Sequence, residues 1–421
     1  MNTVLLKNAR LIDPARGTDQ AGDLFIKDGI FQSAENVASA DQVIDASGLI
    51  ACPGLVDLYA RLREPGQEKK ATIASETRAA LHGGITTLVC SPDTDPVIDE
   101  TATVEFIHRR VDDAGFARVE PLAALTQKLD GKQISELATL QNAGCIAASN
   151  ADKPIDSPRV LRMIMEYAAT FGIKLVMVAQ DASLSAKGVM HEGLISTRMG
   201  LIGIPVAAET VALGMIMELA WQTGAQVHLS RLSSARGVDL VREAKSRGLS
   251  ITADTSINHL FLTDQDLLGF NSLCHVIPPL RYINDRDSLR EAIMDGTLDA
   301  ICSDHAPHDP DAKLAPFPST EPGISSLDIF LPLLVRLAED SGIPLTKILS
   351  LATSGPASIM DLQAGSMIEG KRADLVLFDP QKEFICDTAS FVSKGKNSPY
   401  GGYRLKGPVE HCFVGGRHFT F

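Results

Sequence analysis

A chain of 421 residues, 45% apolar and 22% charged, can form one large domain with an appendage or two or three domains, and is not a disordered chain. Its formal charge of -13 at pH 7 disfavours broad binding to nucleic acid or anionic membranes, which demand a basic surface. The seven cysteines, scattered and without a C-x-x-C pair, read as buried free thiols of a reducing compartment, so a cytoplasmic location is expected.

The start, "MNTVLLKNARLIDPARG", has charges interrupting a short apolar run and predicts neither a signal peptide nor a membrane span. Residues 1–52 then read as short alternating strands with turn signals, "TVLLKNARLID", "DLFIKDG" and "QVIDASGLIACPG", the first part of a small β domain. From 53 to 365, short apolar runs alternate with amphipathic helical stretches. The runs are "GLVDLYARL", "GITTLVCSP", "RVEPLAAL", "GCIAASN", "KLVMVAQ", "AQVHLSRL", "SITADTS" and "LDAICSDHAP", about eight strand-then-helix units, which predict an α/β fold of the (β/α)8 barrel type. A doubly wound open sheet is the competing arrangement, but no G-x-G-x-x-G follows the first strand. Residues 366–421 return to strands and glycine turns in "GSMIEGKRADLVLFD" and "HCFVGGRHFTF", so the two chain ends are expected to pair into one small β-sandwich.

In such a barrel the reactive groups sit at the carboxyl ends of the strands. On the first strand Asp57, Tyr59, Arg61 and Arg63 are two apart and share a face, the spacing at which two histidines would grip one metal. A neutral phenol is a poor zinc ligand, and a guanidinium has no free lone pair and keeps its positive charge. On the last strand "CSDHAPHD" sets Asp304, His305 and His308 at the strand end and in the loop beyond. Taken alone, Asp304 would serve equally well as a capping carboxylate and the histidines as loop residues.

The stretches "PGLVDLYARLREPGQEKKATI", "GGITTLVCSPDTDPV", "GVMHEGLISTRMGLIGIP", "HLSRLSSARGVDLVREAKSRGL", "IPPLR", "DGTLDAICSDHAPH" and "SKGKNSPYGGYRLKG" together resemble class I dihydroorotases of the amidohydrolase superfamily, nearly end to end. The resemblance implies a barrel with a small β domain, and zinc chemistry interconverting carbamoyl aspartate and dihydroorotate in pyrimidine synthesis, with an aspartate moving protons. It also implies where that chemistry is lost. The H-x-H histidines of the first strand fall on Tyr59 and Arg61, and the bridging acidic residue after the fourth strand falls near Asn150 and Ala151. The ligand histidines of the fifth and sixth strands fall on Val178 and Arg231, while His228 matches a family histidine that is not a ligand. Asp304 alone remains of the metal set, whereas catalytic zinc takes about three protein ligands. Arg63 and His308 match carboxylate-binding positions, but the expected asparagines are Asp93 and Ile277, and Asp93 would repel a substrate carboxylate. No functional catalytic residue, metal or other cofactor is therefore expected, with Asp304, His308 and Arg63 as remnants.

An arginine, Arg61 or Arg231, is expected to replace the lost cation beside Asp304, since a guanidinium makes short charge-assisted bonds to a carboxylate. The alternative has both arginines pointing to solvent. Val178 and Ile277 are expected as apolar filling. The loop "DHAPHDPDAKLAPFPSTEPG" reads as a lid that moves in an active relative, and here as disordered or given over to a partner.

The chain also resembles the inactive dihydroorotase-like chains that assemble with some bacterial aspartate carbamoyltransferases. That resemblance implies a structural, pseudoenzyme subunit in a hetero-dodecamer of about six copies of each chain, with a homodimer as the smaller assembly. Two alternatives stand beside it. One is a zinc amidohydrolase with a rearranged metal site drawn from Asp304, His305, His308, His228, His259 or His275. The other is a sensor in which Arg63 and His308 capture a carboxylated metabolite.

Overall fold

The computed structural model describes residues 3–34, 37 and 39–421; the other five, at positions 1, 2, 35, 36 and 38 of the 1–52 segment, lie outside the described residues. Each strand run read from the middle of the sequence forms a strand: Leu55–Ala60, Ile85–Cys90, Arg118–Ala124, Ala147–Ser149, Leu175–Met177, Val227–Leu229, Ile251–Ser256 and Ala300–Cys302. They pair in parallel and in chain order. Closure comes from a parallel bridge between Ala60 and His305, where the Arg61 N–H donates to the His305 carbonyl at 2.9 Å. The result is the (β/α)8 barrel expected from the alternation.

A helix follows every barrel strand: Ile73–His82, Thr101–Ala114, Leu137–Asn142, Pro158–Phe171, Val206–Thr223, Ala235–Ser246, Ile283–Asp295 and Phe330–Ser341. Thr72, Ser157 and Ser234 start three of them by accepting a first-turn N–H, which satisfies a donor that the helix itself leaves unpaired. Helices outside and side chains inside cover both faces of the sheet. The first two strands are consequently buried at every residue and carry no polar-out alternation.

The chain ends do pair, and the expected sandwich takes the form of a single mixed eight-stranded sheet. Thr3–Asp13 lies antiparallel to Thr18–Lys27 and parallel to Ile50–Pro53, which in turn pairs antiparallel with Leu375–Phe378. Val409–Val414 continues the sheet and forms a hairpin with Arg417–Thr420. Its two-residue turn is Gly415-Gly416, both at positive φ (56° and 76°), the backbone that such a turn requires. Strand alternation divides the burial: Ile50, Cys52, Val376 and Phe378 join the barrel's core, while Ala51, Leu375 and Leu377 build a separate one with Val4, Leu6 and Phe413. All seven cysteines are buried and unpaired.

Of the two readings of the 304–323 loop, disorder does not hold, because the loop is folded onto the barrel. Asn397, from the tail, grips both of its ends, donating to the Ala306 and Gly323 carbonyls at 3.0 Å and accepting from the His308 N–H at 2.8 Å. Inside the loop Lys313 donates to the Glu321 carbonyl at 2.6 Å, and Phe317 is buried against His275. Paired backbone groups and a buried aromatic hold the loop despite its proline content.

The end sheet is tied to the barrel through Asp374, only 3% exposed. Arg118, first residue of the third barrel strand, donates to both of its oxygens at 2.8 and 2.9 Å, and the Gly415 N–H donates at 2.7 Å. Asp374→Ala strands these donors. Urea unfolding should show a loss of about 3 kcal/mol, as for removal of one partner from a buried ion pair; a loss below about 1 kcal/mol, the value of an exposed pair, would mean that this tie does not hold the two parts together.

Candidate functional site

Arg231 leaves the sixth barrel strand with a φ of 60°. Its guanidinium carbon lies 3.8 Å from the centroid of the Tyr59 ring, a cation stacked on an aromatic face. From there Nη1 donates to Asp304 at 2.7 Å and Nη2 donates to Asp152. Its backbone N–H donates to buried Asp254 at 2.5 Å, fixing the turn from below. Arg61, at the end of the first strand, donates from Nε to Asp93 at 2.7 Å, and from Nη2 both to the Tyr59 hydroxyl at 3.1 Å and to Asp152. Asp152 therefore bridges the two arginines. Two guanidinium groups and three carboxylates form one connected network across the barrel mouth, with Arg231 only 1% and Arg61 8% exposed.

The electrostatics follow from this pairing. Burial opposes ionisation of Asp93, yet Arg61 and Arg63 hold its carboxyl well below the ordinary range. Asp152 is lowered in the same way against burial, by Arg231 and then Arg61. At Asp304 burial wins: its pKa is raised although Arg231 pulls it down. Both arginines stay protonated, since the neighbouring carboxylates outweigh their desolvation. Arg63, Ala151, Arg231 and Asp304 all adopt positive φ, between 50° and 66°. Left-handed non-glycine backbone at four strand ends is strain gathered where side chains turn inward across the mouth.

The sequence expectations sort cleanly on this geometry. Arg231 rather than Arg61 bonds Asp304, and neither arginine points to solvent. Asp93 is corrected from a repelling charge to the neutralised partner of Arg61. Asp152 escaped the sequence reading, which stopped at Asn150 and Ala151; an acidic residue one position further along the loop was its only signal. Asn150 is structural, accepting from Thr126 and donating to the Lys153 carbonyl, both at 2.8 Å. Val178 and Ile277 are half-buried, and the Ile277 carbonyl accepts a 3.4 Å contact from Arg231. Arg63 and His308 do meet, with Nη2 to Nε2 at 3.1 Å, while Arg63 Nε donates to the Pro307 carbonyl at 3.1 Å. Burial, then Arg63, pushes the His308 pKa down to about 2, so the ring is neutral.

The other histidines are spread through the fold rather than gathered. His305 accepts from the Ser326 N–H at Nδ1 and donates from Nε2 to buried Glu76 at 2.7 Å. His228 bonds Thr252 and Asp254, His259 bonds Ser256 and the Pro278 carbonyl, and His275 bonds Thr320. Among the described residues no three His, Cys, Asp or Glu side chains converge in an arrangement that could hold a metal ion. The donor set at the mouth does not fit a catalytic divalent metal: its carboxylates are engaged by permanent cations, and the ring packed against Arg231 is a neutral phenol.

A family profile described as Dihydro-orotase-like matches residues 48–236. A dihydroorotase-like protein of Pseudomonas aeruginosa is 46% identical over 99% of both chains. This chain belongs to the dihydroorotase-like amidohydrolase family. A dihydroorotase of Syntrophotalea carbinolica is 38% identical over 98% of each chain. An L-hydantoinase from Arthrobacter aurescens, 22% identical, superimposes with a TM-score of 0.88 over 100% of this chain and 96% of that one, a likeness of fold.

Within this dihydroorotase-like barrel, Arg231→Met removes the shared cation and leaves Asp304 and Asp152 underpaired. Unfolding measurements should show a loss of about 3–5 kcal/mol, of which Asp304→Asn in the same chain recovers part; strictly additive losses would deny the coupling. Acid titration gives a second expectation. Asp93 and Asp152 have folded pKa values below the unfolded carboxylate value of about 3.9. The stability they contribute is present above that value and is lost as pH falls through the folded values, whereas Asp304, raised, works in the opposite direction. Asp152→Asn should therefore reduce the difference in stability between pH 7 and pH 3, and an unchanged difference would place the acid sensitivity elsewhere.

Proposed function

We propose that this dihydroorotase-like chain is a non-catalytic assembly subunit of aspartate carbamoyltransferase in pyrimidine biosynthesis, and that its own barrel carries out no hydrolysis. The observation that carries the reading is the bond from Arg231 to Asp304 and Asp152, which seats a fixed cation among the carboxylates of the barrel mouth. Hydrolysis of a cyclic amide needs an activated water and a group free to take its proton. Asp304, the one carboxylate retained from the family's metal-binding set, is tied to Arg231. Tyr59, with a pKa raised by burial, offers no base.

A protein with this role needs a stable body more than an open pocket. The doubly gripped 304–323 loop and the ion-paired mouth support that. The partner chemistry is a folded transferase catalytic chain, in a complex of about six copies of each by family analogy. Nucleic acid and membranes are poor partners for a chain of net charge -13, and no helix among the described residues is long and apolar enough to cross a membrane.

The test mixes the purified chain with the aspartate carbamoyltransferase catalytic chain of the same organism. Light scattering after size exclusion should give one large mixed complex, with the transferase gaining thermal stability. Zinc-supplemented chain should hold well under one metal per chain and turn over no dihydroorotate. Separate elution with an unchanged transferase would overturn the assembly role, and zinc-dependent turnover would overturn the non-catalytic one.

A further inference from the structure

At the end of the barrel opposite the arginine network, the starts of its fifth to eighth strands and the short helices Leu345–Ser350 and Ser354–Ile359 enclose a cleft of about 520 Å³. That size falls within the range of small-molecule sites. Its apolar walls include Ile251, Leu298 and Leu351. Its inner end is a paired polar wall: Thr252 bonds His228 at 2.8 Å, and the other His228 nitrogen bonds Asp254 at 2.9 Å.

The charges around the cleft do not balance. Lys174 pairs with Asp361 at 2.7 Å, and Asp299 pairs with Lys245 at 2.6 Å. Lys347, half-buried in the wall, makes no side-chain hydrogen bond or ion pair among the described residues, and neither does the Ser354 hydroxyl. In a chain of net charge -13, one uncompensated ammonium at the edge of a cleft lined by both polar and apolar side chains is a feature with a chemical preference. The apolar patch of Ile251, Leu298 and Leu351 favours an organic body, and the single surplus charge favours one anionic group.

The geometry points to a second site on the barrel floor, which binds a small organic anion with its charged group at Lys347 and its apolar body against Ile251 and Leu351. A carboxylate and a phosphate monoester share this chemistry. Isothermal titration of the full chain with benzoate, phenyl phosphate and uncharged benzamide separates them. At least one anion should saturate with a Kd at or below about 1 mM, while benzamide does not. The tighter anion identifies the charged group. Lys347→Gln should weaken that binding about tenfold, the effect of losing one charge-assisted hydrogen bond, with an unchanged thermal midpoint. This dependence also separates the floor from binding at Arg63 and His308, which Lys347→Gln leaves intact. The proposal is overturned if neither anion saturates by about 10 mM, if benzamide binds as well as the anions, or if the variant binds as wild type.

Discussion

Arg231 places a permanent positive charge between Asp152 and Asp304, and the architecture of the barrel mouth depends on keeping that charge paired. A buried guanidinium is costly unless its donors meet acceptors in good geometry. Tyr59 supplies an aromatic face beneath it, Asp254 holds its backbone, and Arg61 shares Asp152 from the opposite side of the mouth. The charged groups at the mouth are thus mutually consistent. The mouth carries its own cations, together with the carboxylates that answer them.

The surrounding fold keeps this network in place by satisfying polar groups at each boundary. His305 closes the barrel through its backbone and bonds Glu76 through its ring. Asn397 brings the tail onto the 304–323 loop, and Asp374 binds the end sheet to the third strand. These contacts join segments far apart in the chain. They hold the rim of the barrel and the end sheet together as one body.

Much of this was legible in the sequence. The eight strand runs could be read because a parallel barrel buries both faces of its sheet and leaves short apolar segments separated by helical ones. The lack of a zinc donor was equally plain at Tyr59, Arg61, Val178 and Arg231, since none of these side chains offers one at neutral pH. Asp152 was not legible, because a loop carboxylate beyond a strand end looks like any solvated residue until the turn at Ala151 carries it inward. Asp93 was misread for a related reason: its sign was evident, but its partner, 32 residues away, was not.

What the sequence alone determined was the periodicity and the chemistry of each position: an alternating barrel, paired chain ends, and arginines and a tyrosine beside the carboxylates of the strand ends. Tertiary structure decided which charges meet. Arg231 rather than Arg61 holds Asp304, the 304–323 loop is packed, and Lys347 has no ion-pair partner among the described residues on the floor. Local pattern follows from the backbone's fixed repeat, which every residue carries with it. Ion pairing depends instead on distances of a few ångströms between residues tens to hundreds apart in the chain, set only once the barrel has closed.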